Sequence, residues 1–397
     1  MLKTWLSRSI PLPISCHIDL NDPGERGDEP EHSIIALLIR DSHRWLDITF
    51  RLGRRPDLYY NIATIQSPLP LLRFFEISAN LGSASNRLTS YENSTFASAP
   101  NLAEVLIDVN VDARSPLRFP WHQLRLYHCS NMNLFLETAV DLQNLTHLIL
   151  FQSFHDFSTA SPQQVSLARL RRLEIDLQYT APVADLLDIM FLPSLQELKV
   201  ESSGLSAESI LSSIGHLQQR SSCRLKQLFV SVEIISMLLS RPELGKSLDA
   251  VEELHIRFDP LTPDAGLKFL HDRSAFPRLK ALYLVVHLLH TYVHPDDNPC
   301  FDEIADVVTA RRIPNQWDVQ LERVSLDTAT MYNSEFYGWR KPRIPASVRG
   351  IRRVTELQSQ GLVLLESIVD GTLCPVLKIA KLWDRQRVDR DAARYLL

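Results

Sequence analysis

One spacing of apolar residues recurs along the chain: apolar-x-x-apolar-x-apolar, most often just after a Pro, Asn, Arg or Ser. It reads Leu72/Phe75/Ile77, Leu102/Val105/Ile107, Trp121/Leu124/Leu126, Leu145/Leu148/Leu150 and Leu170/Leu173/Ile175. It continues as Leu195/Leu198/Val200, Leu225/Leu228/Val230, Val251/Leu254/Ile256, Leu279/Leu282/Leu284 and Leu321/Val324/Leu326. The first anchors of these ten copies are 30, 19, 24, 25, 25, 30, 26, 28 and 42 residues apart. The last two apolar residues of each copy are two apart, so they project from one face of a short strand.

Helical spacing fills the intervals. Ser206-Ala207-Glu208-Ser209 opens one helix, followed by Ile210, Leu211, Ile214 and Leu217. Thr262-Pro263-Asp264 opens another with a capping residue and a proline in the first turn, followed by Leu267 and Leu270. Pro182–Met190 carries Leu186, Leu187 and Met190, and Asp302–Arg311 carries Ile304, Val307 and Val308. A strand followed by a helix, repeated, gives a parallel sheet joined by right-handed crossovers. No unit buries its apolar face alone, so neighbours must stack. A step near the period of roughly 20–29 residues points to leucine-rich repeats. The expectation is an α/β fold: an irregular leucine-rich-repeat solenoid, with the parallel sheet on the concave side and helices on the convex side.

Outside the repeats, residues 1–66 read as an α/β lead-in unit. Ile14, Cys16, Ile18 and Leu20 alternate as a strand, Ser33–His43 reads as a helix, and Leu46, Ile48 and Phe50 alternate as a second strand. The sheet is therefore expected to begin before the first clear repeat. The array covers 67–330. Residues 331–397 hold an irregular stretch, a closing helix over Val354–Val369 carrying Leu357, Leu364, Leu365 and Ile368, and a tail of mixed charge.

Composition narrows the function classes. Lys and Arg total 42 against 47 Asp and Glu, a net charge of −5, which gives no support to a nucleic-acid partner. There are only 12 glycines in 397 residues, which disfavours Gly-rich phosphate loops. The five cysteines, Cys16, Cys129, Cys223, Cys300 and Cys374, form no CxxC pair. An odd, scattered set suits a reducing compartment, so the expected location is intracellular, cytoplasmic or nuclear. The strongest apolar runs, Ile34–Ile39 and Leu282–Leu289, are too short to span a membrane.

The sequence carries no GxSxG, GxxxxGK[ST], GxGxxG or HExxH signature, so no catalytic residue and no cofactor is assigned. The cluster His287/His290/His294/Asp296/Asp297/Cys300 combines side-chain types that bind zinc. Pro295 and Pro299 break regular geometry there, so a polar loop is the main reading. An enzyme or metal-binding protein with a site near 287–300 is the alternative, and a degenerate structural relative without a partner is another.

The residue between the two strand anchors of each copy points away from the core. Those residues are Glu76, Leu106, Arg125, Ile149, Glu174, Lys199, Phe229, His255, Tyr283 and Ser325. Arg125, Ile149, Glu174, Lys199, Phe229, His255 and Tyr283 are the expected partner-binding row, since solenoid sheets commonly present concave binding surfaces. The aromatic, basic stretch Tyr332–Lys341 is a further contact candidate.

The opening LKTWLSRSIPLPISCHIDL, the segment HRWLDITFRL (His43–Leu52) and the repeats LPLLRFFEIS, APNLAEVLID, LARLRRLEID and LPSLQELKV resemble the fungal F-box proteins, especially the large basidiomycete set. The resemblance covers nearly the whole chain. It implies irregular leucine-rich repeats and the substrate-receptor role of a cullin–RING ubiquitin ligase. The family's F-box, which docks on the Skp-type adaptor, precedes a segment that begins here at Trp5. An F-box does not fit in four residues, so adaptor binding is implied only if one lies upstream of this chain.

Overall fold

A computed structural model describes residues 2–20, 29–63, 65–80, 95–110, 117–152, 164–177, 183–202, 207–258, 270, 276–287, 306–307, 309–311, 321–329 and 363–365. The chain forms two compact units, Met1–Ser206 with Ser212–Arg224, and Ala207–Leu211 with Leu225–Leu397.

The first unit is built on a parallel sheet whose neighbours are almost all successive in the chain. Its strands are β1 (Ile14–Asp19), β2 (Trp45–Arg51), β3 (Phe74–Asn80), β4 (Glu104–Asn110), β5 (Leu126–Cys129) and β6 (His147–Gln152). Beyond the short β7 (Val165–Ser166) come β8 (Arg172–Leu177), the short β9 (Met190–Phe191) and β10 (Glu197–Ser202). In the sheet β8 lies between β6 and β10, and β7 pairs with β9 alone. The second unit carries the parallel strands β11 (Gln227–Ser231), β12 (Glu253–Phe258), β13 (Ala281–His287), β14 (Arg323–Ala329) and β15 (Val363–Leu365). The α/β class and the large parallel sheet follow the reading of the sequence. So does the early start of the sheet, since β1 pairs with β2 and β2 with β3.

Helix α1 (Leu2–Arg8) precedes β1, and α2 (Glu29–Arg40), α3 (Pro56–Ala63), α4 (Met132–Thr138), α5 (Val183–Ile189), α6 (Ala207–Ser221) and α7 (Val232–Ser240) lie in connections between strands. Their starts have local causes. Pro56 sits at the first position of α3, where its fixed φ suits a helix and its missing N–H costs nothing. Asn131 caps α4 by accepting the Leu134 N–H at 3.0 Å. In α6 the buried Ile210, Leu211, Ile214 and Leu217 form one apolar stripe.

The strand anchors make the core. Leu72, Phe75, Leu145, Leu148, Leu170, Leu173, Ile175, Leu198, Leu225, Leu228, Leu254 and Ile256 are fully buried. Three-residue 3₁₀ turns at Phe96–Ser98 and Trp121–Gln123 lead into the next strands, with large side chains packed around them. Aromatic rings run in contact from Trp45 through Phe50, Phe75, Phe96 and Phe119 to Trp121 and Tyr127, with centroids 4.6–6.4 Å apart.

Between neighbouring strands the backbone forms a ladder. The carbonyls of Arg73, Ala103, Arg125, Thr146 and Arg171 each accept N–H groups from the next strand's entry at 2.8–3.2 Å. Polar side chains repeat the stitch one level out. Asn101 Nδ2 donates to Pro70 O, Asn144 Nδ2 to His122 O, and Ser194 Oγ to Ala168 O, each at 2.7 Å.

Two expectations are corrected. The third copy is not Trp121/Leu124/Leu126. The register pairs Val105 with Tyr127 and Ile107 with Cys129, so the copy is Leu124/Tyr127/Cys129, all buried. Arg125 therefore does not stand in the outward row. It lies just before the strand, exposed, and His128 takes its place between Leu106 and Ile149. The second correction concerns the closing helix over Val354–Val369. Val363–Leu365 is a strand, pairing parallel with Arg323–Ser325, because Leu364 continues the Val324 anchor position onto the next rung. The rest of that segment lies outside the described residues.

Candidate functional site

Burial alternates along the strands, as in β5 and β11, where every second residue is buried and the others are only partly covered. The residues between the anchors form a second face, on which Thr49, Glu76, Leu106 and His255 are themselves buried. In the first unit the register sets Thr49, Glu76, Leu106, His128, Ile149, Glu174 and Lys199 side by side. In the second it sets Phe229, His255, Tyr283, Ser325 and Leu365 side by side. Of the partner-binding row read from the sequence, Ile149, Glu174 and Lys199 thus share one face, and Phe229, His255 and Tyr283 share another.

The first unit's row is paired by charge at both ends and apolar in the middle. Glu76 takes both Nε and Nη2 of Arg51, at 3.2 and 3.1 Å, and accepts from Thr49 Oγ1 at 3.3 Å. At the other end Glu174 lies 2.6 Å from Arg172 Nη2, 3.4 Å from His147 Nε2 and 3.7 Å from Lys199 Nζ. Burial by itself would raise the Glu174 carboxyl. The His147 imidazole beside it and the Arg172 and Lys199 charges outweigh it and bring the pKa down to about 2. Burial likewise acts to lower Lys199, but Glu201, 2.8 Å away, holds it above the ordinary lysine range. Between these ends lie Leu106, buried, and Ile149, half-buried, with the His128 ring against Phe151 at 4.3 Å.

The second unit's row is aromatic. His255 lies between Phe229 and Tyr283, with ring centroids at 3.6 and 4.0 Å and interplanar angles of 24° and 5°. Stacked aromatic rings across strands stabilise the sheet, and His255 at the centre of this stack is buried. Beside them Glu253 accepts from Gln227 Nε2 at 3.1 Å and from Arg323 Nη2 at 3.2 Å. Burial, then the Glu253 charge, raises the Tyr283 hydroxyl above its ordinary value, so the ring is neutral at physiological pH.

His128, Phe151, Arg172, Glu253 and Arg323 belong to these faces and were not in the sequence-derived row. The period of two would have found Arg172, Phe151, Glu253 and Arg323, which stand two residues before or after a row member. His128 was hidden by the misplaced third copy.

Among the described residues no group of three or more His, Cys, Asp or Glu could hold a metal ion. Burial raises the thiols of Cys16, Cys129 and Cys223 to about 11, which leaves them protonated and poor nucleophiles at neutral pH. The His290–Cys300 part of the candidate metal cluster, Cys374 and Tyr332–Lys341 lie outside the described residues. Among the described residues no helix is long and apolar enough to cross a membrane. Compared with known proteins, the chain matches no protein-family model and no curated sequence.

Proposed function

We propose that this protein is a non-catalytic recognition module, an irregular leucine-rich-repeat solenoid whose outward sheet face receives another protein. In this reading the parallel sheet lines the concave side and the helices the convex side. The role resembles that of the substrate-receptor part of an F-box protein in a cullin–RING ubiquitin ligase, working inside the cell, where five scattered cysteines stay reduced. One observation carries the reading: the aligned stack of Phe229, His255 and Tyr283, flanked by the Gln227–Glu253–Arg323 hydrogen bonds. Rigid aromatic side chains beside an arginine are the groups that dominate binding energy at protein interfaces.

The test is affinity capture from cell extract with mass spectrometry, comparing wild type with Phe229→Ala/Tyr283→Ala. Circular dichroism confirms that the variant keeps its fold. A captured protein is then remade pure and titrated. The expected result is a direct partner bound by wild type and lost by the variant. An unchanged set of partners overturns the aromatic face as the docking surface.

A further inference from the structure

At the N-terminal ends of the first unit's strands, one column of residues has an unusual charge pattern. The backbone ladder joins Arg73, Ala103, Arg125, Thr146, Arg171 and Gln196 in sequence: Ala103 N donates to Arg73 O, Arg125 N to Ala103 O, Thr146 N to Arg125 O, Arg171 N to Thr146 O and Gln196 N to Arg171 O, at 2.8–3.0 Å. Every second rung is thus an arginine, with Ala103 and Thr146 between. Thr146 turns its hydroxyl onto the Arg125 carbonyl at 3.0 Å, so neither intervening residue obstructs its neighbours. Two rungs span roughly 10 Å.

Arg73, Arg125 and Arg171 are all exposed. None of their guanidinium groups makes a hydrogen bond or ion pair among the described residues. The neighbouring cations are engaged: Arg172 with Glu174 and Glu197, and Arg169 with Asn144. The same column in the second unit reads Lys226, Glu252, Lys280 and Glu322. It alternates in sign and pairs internally, with Lys280 Nζ 2.8 Å from Glu252. The first unit's column is of one sign and, among the described residues, unpaired, in a chain whose net charge is −5.

We propose that this rim is a binding track for an extended acidic peptide of a partner protein, its carboxylates taken by Arg73, Arg125 and Arg171. In a polyproline II conformation a chain advances roughly 9 Å in three residues and returns every third side chain to the same face, so acidic side chains at every third position match the arginine spacing. The planar guanidinium fork accepts a carboxylate through two parallel hydrogen bonds. The track lies at the strand ends of the first unit and uses none of the residues of the aromatic stack, so it stands or falls separately from the proposed docking face.

The experiment is a fluorescence-anisotropy titration of the full chain into a fluorescein-labelled peptide with Glu at every third position of a Ser/Thr spacer. The comparison probes are a peptide of equal composition with its glutamates contiguous and a single-stranded oligonucleotide of equal charge. Saturable binding of the spaced peptide is expected, weakened roughly tenfold or more in Arg73→Ser/Arg125→Ser/Arg171→Ser. It should be weakened less in the corresponding triple lysine variant and be unaffected by Phe229→Ala/Tyr283→Ala. If the triple serine variant loses its circular dichroism, single Arg125→Ser carries the comparison, with weaker binding expected. Absence of saturable binding, equal binding of the contiguous peptide, tighter binding of the oligonucleotide, or no loss in the arginine variants would each overturn the proposal.

Discussion

Arg323 on β14 reaches across β13 to Glu253 on β12, its Nη2 3.2 Å from the carboxylate. The residue passed over is Ala281, which the register places between the two. Only a methyl group stands under the guanidinium stem, and Ala281 is itself fully buried. Enlarging it therefore both overpacks the site and parts the ion pair. Ala281→Leu is expected to lose about 1–3 kcal/mol. Arg323→Ala removes a partly exposed pair and should lose about 1 kcal/mol or less. Urea titrations of the two variants check this. Equal losses would show that the pair, not the room beneath it, sets the local stability.

Glu174 gives a pH dependence with a definite sign. Its carboxyl titrates at about 2 in the folded chain against an ordinary 4.5. The folded state therefore binds the proton more weakly than the unfolded one, and ionisation favours folding. The stabilisation is fully present above about pH 4.5 and is lost as pH falls toward 2. Glu174→Gln should cost about 1–3 kcal/mol at neutral pH, allowing for partial solvent screening by the exposed ends of Arg172 and Lys199. The gap to wild type should close through that acid window. Denaturation at a series of pH values measures it; a gap independent of pH would contradict the charge origin.

Three buried or half-buried arginines tie successive connections together. Arg44 donates to the carbonyls of Leu6, Ser9 and Leu12 and to Ser9 Oγ at 2.8–3.2 Å. Arg220 serves Leu187 and Met190, and Arg311 serves Leu270 and Phe276. A planar fork satisfies several carbonyls at once, which an ammonium on a single stem does not. Arg44→Met removes these four hydrogen bonds and leaves Ser9 O only the Leu12 N–H and Leu6 O the Ser9 hydroxyl, a penalty of about 1–3 kcal/mol. Arg44→Lys should recover only a part. Hydrogen exchange is the sharper readout: amides of Leu2–Arg8 should lose protection before those of β3 and β4. Uniform loss across the sheet would contradict a local clamp.

The strands were legible where leucine, isoleucine and valine fill the anchors, because each rung needs two inward side chains of similar size two residues apart. Reading failed where that economy is broken. At the third copy Trp121, Leu124 and Leu126 mimic the spacing three residues early, while the true anchors Tyr127 and Cys129 look less hydrophobic than the leucines beside them. At β15 a three-residue strand is too short to show a period of two, and Leu364 and Leu365 fit a helical stripe equally well. Of the face, single row members could be read from alternation. The contacts that give it character, such as the stack on His255 and the carboxylate shared by Arg172, His147 and Lys199, depend on cross-strand register that one sequence does not state.

The corrected register makes its own prediction. If Leu124, Tyr127 and Cys129 are the anchors, Tyr127 is fully buried against Trp121 at 5.3 Å, and Arg125 is exposed at the rim. Tyr127→Ala should then cost about 3–5 kcal/mol, the range for deleting a buried aromatic ring. Arg125→Ala should stay within about 0.5 kcal/mol of wild type. The earlier phase, with Leu126 as an anchor and Tyr127 outward, predicts the opposite ranking for Leu126→Ala and Tyr127→Ala. Urea denaturation of the three variants separates the two registers. A larger loss at Leu126 than at Tyr127 would move the whole strand by its three residues and return Arg125 to the outward row.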